Sequence, residues 1–166
     1  MAVEIERKFK LVSDEWRALS TGSLKIQQAY LQSGIKADQA SSIRIRLEET
    51  DADQIKATIN VKSAEMSVHR MEYEYSIPVS DASIMLETLC EQPVLVKTRF
   101  LVPYGDHLWE LDIFEGDNAG LEIAEVELKH INEKLALPDW VGQEVSDDPR
   151  YYNNYLLKQP YKLWRV

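Results

Sequence analysis

Apolar and polar positions alternate with a period of two along most of this chain, the pattern of β-strands with two unlike faces. Eight runs carry it: Val3–Val12, Leu24–Ser33, Ser41–Glu49, Gln54–Ser63, Ser67–Pro78, Val94–Pro103, Leu108–Phe114 and Leu121–His130. The connections Thr50-Asp51-Ala52-Asp53 and Tyr104-Gly105-Asp106-His107 are short and polar, which predicts hairpins and an antiparallel meander. Helical signals are few. Ser13-Asp14-Glu15-Trp16 predicts a single capped turn. Asp81–Cys90 predicts a helix with Ile84, Met85 and Leu89 on one face. Two more short helices are expected near Ile131–Leu135 and Arg150–Leu157. Eight strands can close into a barrel, which removes the edges an open sheet would expose.

The polar faces of these strands are nearly pure charge. Val3, Ile5 and Phe9 oppose Glu4, Glu6, Lys8 and Lys10; Ile43, Ile45 and Leu47 oppose Arg44, Arg46 and Glu48. Lys56 and Lys62 share a face with Thr58 and Asn60, and Arg70 shares one with Glu72 and Glu74. Lys97 and Arg99, Glu110 and Asp112, and Glu125 and Glu127 form further pairs two residues apart. One reading is a solvated outer face around an apolar core, as antiparallel sheets commonly have. The other is an inverted barrel, with charges pointing into a wet lumen and apolar faces packed outward. Like charges two residues apart repel, and opposite signs on facing strands, or a bound ion, would offset that. The scarcity of helices to cover an apolar exterior counts against the inverted barrel.

Composition narrows the classes. The 166 residues suit one domain, and no linker or internal repeat divides them. Hydrophobic residues at 45% and charged residues at 28% are ordinary for a globular protein. No apolar run approaches a membrane span, and charge from the fourth residue onward speaks against a signal peptide. The single cysteine, Cys90, excludes an internal disulfide and a multi-cysteine metal site, so a cytoplasmic location is expected. A net charge of −9 argues against a nucleic-acid surface but not against a small anion, because a bound cation can reverse the local sign of a site. His69, His107 and His130 are scattered and read as structural, Cys90 as a small core residue, and Trp109, Trp140 and Trp164 as packing anchors.

Glu4-x-Glu6-x-Lys8 resembles the ExExK signature of the CYTH superfamily, the triphosphate tunnel metalloenzymes. Arg44-x-Arg46, Lys56 with Lys62, Arg70-x-Glu72-x-Glu74, Lys97-x-Arg99, Asp112 and Glu125-x-Glu127 follow in the family's order. Leu111–Gly116 with Gly120–Glu127 resembles the family's late hairpin, and Glu144–Asn153 the tail of its short bacterial, single-domain members. The resemblance implies a mostly β fold: a closed eight-stranded antiparallel barrel with a few short flanking helices, and charges facing inward. It implies one CYTH-like domain over residues 1–166, with 140–166 as a tail that plugs one tunnel mouth, Arg150 or Lys158 reaching in. It also implies hydrolysis of the terminal phosphoryl group of a triphosphate, inorganic triphosphate first among the candidates. Class IV-type adenylate cyclase, nucleoside or thiamine triphosphatase, and a non-catalytic polyphosphate binder are the alternatives.

By the same resemblance, Lys8, Arg44, Arg46, Lys56, Lys62, Arg70, Lys97 and Arg99 form the cationic clamp. Phosphoryl transfer depends on such positioning and electrostatic stabilisation. Glu4, Glu6 and Glu127 are implied metal ligands for Mg²⁺ or Mn²⁺, hard cations that prefer oxygen. Asp112 and Glu125 would hold a second metal or orient the attacking water. Tyr30 is a candidate to hydrogen-bond a phosphate or that water, with a core role as its alternative. Glu72, Glu74 and Glu110 are read as partners of the basic clamp. The implied partner is a small-molecule triphosphate, with no nucleic acid and no membrane, and a homodimer is allowed.

Overall fold

The computed structural model describes residues 2–64 and 69–164. Alternation becomes nine strands: β1 (Ala2–Leu11), β2 (Gly22–Gln32), β3 (Ser41–Thr50), β4 (Ile55–Ser63), β5 (His69–Ser76), β6 (Leu95–Tyr104), β7 (His107–Phe114), β8 (Glu122–Glu127) and β9 (Val141–Glu144). Eight of them match the runs read from the sequence to within a few residues. The expected start of the fifth run at Ser67 lies outside the described residues, as does the side chain of His69.

Every strand pairing is antiparallel, but the order is not a simple meander. The sheet runs β5-β4-β3-β2-β6-β7-β8-β1-β9, and a further β1–β5 pairing closes eight of the strands into a barrel. Two hairpin-linked meanders, β2 to β5 and β6 to β8, each end in an open edge. β1 joins those edges: Ala2–Ile5 pair with β5, and Glu6–Lys10 pair with β8 on the other side. β2 pairs with β6 to join the remaining two. The first strand is therefore the seam of the barrel. The short β9 continues along β1 through Phe9 and Leu11. Gly105, at φ +59, allows the β6–β7 turn a backbone conformation that L side chains rarely adopt.

Apolar faces point outward, and three clusters cover most of them. Phe9, Val102, Trp109, Leu111, Ala124 and Val126 pack against Trp16, from the 3-10 turn Glu15–Leu19, and against Trp140. Trp109 meets Trp140 edge-on with centroids 5.5 Å apart. Helix α1 (Val79–Thr88) lies on β2, β3 and β4 and buries Ala82 and Leu86 against Ala29, Ile45 and Ala57, with Cys90 in the same cluster. Ile84 and Leu89, expected on its buried face, are exposed instead, because the packed stripe runs through Ala82 and Leu86 one helical turn apart. No helix forms at 131–135, where the chain makes a turn. The 150–157 segment splits into a 3-10 turn, Pro149–Tyr151, and a single α-turn, α2 (Asn153–Leu156).

The third cluster is of a different kind. Leu95, Phe114 and Ile123 share the inward parity of Lys97, Asp112 and Glu125, yet they pack against Val145, Tyr151 and Leu156. At that end of the barrel the lumen is filled by apolar side chains and covered by the C-terminal segment. Non-helical chain thus does most of the covering that helices were too few to do. The outer face of β5 stays open, with Met71, Tyr73 and Tyr75 exposed.

Trp109 is fully buried in the exterior cluster, so Trp109→Ala should cost about 3–5 kcal/mol, as large aromatic truncations do. Urea unfolding monitored by far-UV dichroism checks this; a loss below 1 kcal/mol would mean the outer layer is not a packed core.

Candidate active site

Inward-facing positions enclose a cavity of about 510 Å³. β1 supplies Glu4, Glu6 and Lys8, β3 supplies Arg44 and Arg46, and β4 and β5 supply Lys62, Arg70, Glu72 and Glu74. Arg99, Glu110, Glu125 and Glu127 line the opposite wall, and Tyr30 faces in from β2. Alternation and register together explain the gathering. Glu4 stands opposite Arg70, Lys8 opposite Glu125, Arg44 opposite Tyr30 and Asn60, and Arg99 opposite Asp112.

The floor of the cavity is a continuous ion-pair network. Asp112 is fully buried and both its oxygens are taken: Oδ1 by Arg99 Nε at 2.7 Å, and Oδ2 by Arg99 Nη2 at 2.8 Å and Lys97 Nζ at 2.5 Å. Arg99 also donates to Glu125 Oε2 at 2.9 Å and to Glu110 at 2.5 Å. Lys8 Nζ reaches Glu125 Oε1 at 2.5 Å and Glu6 at 2.7 Å. Burial alone would raise the pKa of Asp112, but Arg99 and Lys97 outweigh it and hold the carboxyl below its ordinary range. Glu125 is held well below its range in the same way, against burial, by Lys8, Arg99 and Lys97. Burial also works against the Lys8 ammonium, yet Glu125 and Glu6 raise its pKa. Lys97 is lowered to about 8, chiefly by burial, with Arg99 and Arg46 adding to it against the pull of Asp112.

Above the floor the charges separate. Arg46 donates through Nε and Nη2 to Gln28 Oε1, at 3.0 and 2.8 Å, so it is braced from behind by a neutral group. Burial, with Arg44 and Arg99 adding to it, lowers its pKa to about 10 against the opposing pull of Glu48 and Asp112. Among the described residues Arg44 pairs only with Glu74, at 3.8 Å, and its buried Nε has no hydrogen-bond partner. Arg46 also meets Glu48 at 3.3 Å, and the two buried guanidinium groups share one wall, an arrangement suited to a multivalent anion. Burial raises the pKa of Tyr30 although Arg44, Arg46, Arg70 and Lys8 all lower it, so the phenol keeps its proton.

Carboxylates gather elsewhere on the cavity wall. The pKa of Glu127 is raised by partial burial and then by Glu4, Glu72, Glu6 and Glu110. Glu110 is raised by burial and, despite Arg99, by Glu125, Asp112 and Glu6. The donor set is all oxygen and under-neutralised, which fits a hard divalent cation. Among the described residues no three such groups are already drawn together as a metal cage: Glu4 turns to Lys62 at 2.6 Å and Glu6 to Lys8.

Most residues singled out from the sequence therefore meet in one place, with four qualifications. Asp112, expected among metal ligands and catalytic groups, lies beneath the cavity with both oxygens engaged. Lys97, expected in the clamp, is also fully buried beneath it. Lys56 is exposed, opposite Glu48 near the end of β4, and does not line the cavity. Arg150 pairs with Asp148 at 2.6 Å and Lys158 approaches Glu91 at 3.8 Å, so neither reaches in.

Sequence reading missed Gln28, Tyr152, Asn153 and Asn154. Gln28 could have been found as the neutral polar residue at inward parity beside Tyr30. The three tail residues carry no periodic signal, yet all line the cavity. Asn153 Oδ1 accepts from Lys97 Nζ at 3.3 Å, and Asn154 Nδ2 donates to the Ser33 carbonyl at 2.9 Å. At the other end of β6, the Tyr104–His107 turn forms an outer lip where His107 Nε2 meets Glu133 Oε1 at 3.0 Å.

A closed antiparallel barrel whose lumen carries paired arginines, lysines and glutamates defines a class of protein built to hold a small, highly charged ligand. The profile of the CYTH domain family matches residues 2–152, and the chain belongs to that family. It is 42% identical over 162 residues to an inorganic triphosphatase of Acetivibrio thermocellus, covering 98% of this chain and 97% of that one. It is 33% identical over 156 residues to an inorganic triphosphatase of Nitrosomonas europaea, covering 92% and 95%. The crystal structure of the inorganic triphosphatase NE1496 superposes with a TM-score of 0.63 at 28% identity, covering 95% of each chain. Among the described residues no helix is long and apolar enough to cross a membrane.

Because Asp112 neutralises two buried cations, Asp112→Ala should destabilise the fold by about 3–5 kcal/mol, the usual result of removing one partner of a buried pair. Chemical denaturation checks it. Full stability with lost activity would instead assign Asp112 directly to the chemistry.

Proposed function

We propose that this chain is a metal-dependent inorganic triphosphatase that hydrolyses the terminal phosphoryl group of tripolyphosphate inside its barrel. The observation that carries this reading is the shared wall of Arg44 and Arg46, both buried, lining one cavity together with Lys62, Arg70 and the glutamates Glu4, Glu6 and Glu127. The two triphosphatase relatives, aligned over almost the whole chain, support it.

In this reading Arg44, Arg46, Lys62 and Arg70 bind the phosphate oxygens, the arginines by forked hydrogen bonds. Lys62, paired with Glu4 at 2.6 Å, would be freed for this if Glu4 held a cation. Tyr30, kept protonated, donates to a phosphate oxygen or to the attacking water. Gln28 holds Arg46 in orientation, and the floor of Asp112, Lys97, Arg99 and Glu125 fixes the geometry from below. Glu4, Glu6 and Glu127, with Glu72 and Glu110 nearby, would hold Mg²⁺ or Mn²⁺. A divalent cation, when bound, neutralises phosphate charge and polarises the bond to be broken. Water oxygen bonds to the terminal phosphorus as its bridging bond breaks, giving orthophosphate and pyrophosphate. The C-terminal segment plugs one end, on the packing of Tyr151 and Leu156 over Phe114 and the entry of Asn153 and Asn154. One domain over the whole chain and a cytoplasmic setting, consistent with one buried free thiol at Cys90, complete the reading.

The direct test is phosphate release from tripolyphosphate, ATP and pyrophosphate, each with Mg²⁺, with Mn²⁺ and with chelator. Release confined to tripolyphosphate and lost with chelator is expected. Comparable release from ATP would make it a nucleoside triphosphatase, and none from any substrate would remove hydrolysis.

Glu127→Gln separates function from stability. The raised pKa of Glu127 means its ionised form is disfavoured in the folded, empty protein. Folding is then opposed by this group at neutral pH, and the penalty fades as pH falls through its folded pKa. Neutralising it should slightly raise the Tm of the empty protein. Metal-supported turnover should fall by more than the roughly 10–100-fold that losing a supporting group costs at a metal site. Thermal melts with chelator and steady-state rates with Mg²⁺ check the two halves.

A further inference from the structure

Arg70 differs from the other cations of the cavity. Its register partner across the β1–β5 seam is Glu4, yet the Glu4 carboxylate goes to Lys62. Among the described residues no carboxylate forms an ion pair with Arg70. What holds its guanidinium is the ring of Tyr152, with Cζ 5.1 Å from the ring centroid. The same ring carries Lys8, whose Nζ is 5.4 Å from the centroid. One aromatic face system thus spaces two cavity cations that come from different strands and would otherwise repel.

Tyr152 is itself fixed. It is 8% exposed, and its hydroxyl donates to the Ser146 carbonyl at 2.6 Å. Ser146 Oγ accepts from the Lys8 backbone N–H at 3.0 Å and donates to Glu144 at 2.8 Å. The next two residues are the tail's contacts with Lys97 and Ser33. Tyr152 therefore stands where the C-terminal segment enters the cavity, tied on one side to β1 and on the other to α2. A guanidinium over a ring keeps its N–H edges free, because the interaction uses the face of the cation. Paired with a carboxylate, Arg70 would have spent those donors.

We propose that Tyr152 is a positioning residue: its ring holds Arg70, with donors unspent, against the cavity, so that the phosphate clamp is complete only when the C-terminal segment is docked. The inference rests on the triphosphate reading above for its ligand. It reaches beyond it by giving the tail a part in substrate grip rather than in covering the barrel alone.

The experiment uses the full chain and two readouts: tripolyphosphate binding by calorimetry in chelator, and phosphate release with Mg²⁺. Tyr152→Leu should weaken binding by about tenfold, the scale of a desolvated cation–π contact, and raise KM more than it lowers kcat. Tyr152→Phe, which keeps the ring, should restore binding to within about threefold of the parent chain. In an Arg70→Ala background, Tyr152→Leu should add less than about a twofold effect, since coupled residues are not additive. Tyr152→Met serves as the same test should the leucine variant not fold. An undiminished Tyr152→Leu effect in the Arg70→Ala background overturns the inference, as does a phenylalanine variant as weak as the leucine one. A parent chain that binds tripolyphosphate without hydrolysing it removes the triphosphatase reading and leaves the binding comparison to decide the role of Tyr152. A parent chain that binds none overturns both.

Discussion

Both oxygens of Asp112 are claimed by Arg99 and Lys97 in a part of the barrel with no access to water, and on that contact the inverted architecture depends. A buried cation without a counter-charge costs several kcal/mol, and a buried carboxylate the same. Linked through Glu125 to Lys8, the network satisfies five ionised groups at once. It lets inward positions carry charge close to the apolar end formed by Leu95, Phe114 and Ile123. Without it the lumen would have to collapse into an ordinary hydrophobic core, and no cavity would remain.

Neutralisation is confined to the floor. On the walls, burial and the neighbouring Arg44 and Arg99 lower the pKa of Arg46, while burial and the neighbouring glutamates raise that of Glu127. The empty protein is therefore under electrostatic strain of two opposite signs within one cavity. In the proposed reading a polyphosphate would relieve one and a divalent cation the other, and two such ligands attract each other. In that reading, affinity for both would follow from walls left only partly neutralised, and the stable floor makes that tolerable. Glu4 and Glu6 are turned toward Lys62 and Lys8.

Much of this was legible in the chain. Period-two alternation from Glu4 to Glu127 placed eight strands, and its charged parity marked which side chains would meet. It did not decide whether that parity faced water or a lumen; the ExExK resemblance did. The helix over 131–135 and the apolar face of α1 were misread for a local reason. Apolar residues in a short segment fit several periods, and only the surface they meet selects one. β9 is four residues long and has little pattern to show. Gln28 was passed over because a neutral amide beside Tyr30 gives no hint that it will brace Arg46.

The sequence by itself determined the strands and the parity of each charge, because side-chain direction in a strand follows residue number. Only the tertiary structure decided which charges are spent and which are available. Asp112 and Glu127 sit at the same parity in a hairpin-linked sheet, yet one is sealed beneath the cavity and the other repels its neighbours on the cavity wall. That difference is set by distance to cations on other strands and by the apolar plug of the tail, both of which come from residues far apart in the chain. The same holds for Tyr152, Asn153 and Asn154. Nothing in their local pattern aims them at Arg70, Lys97 and Ser33, and only the closing of β1 between β5 and β8 brings the end of the chain to the lumen it completes.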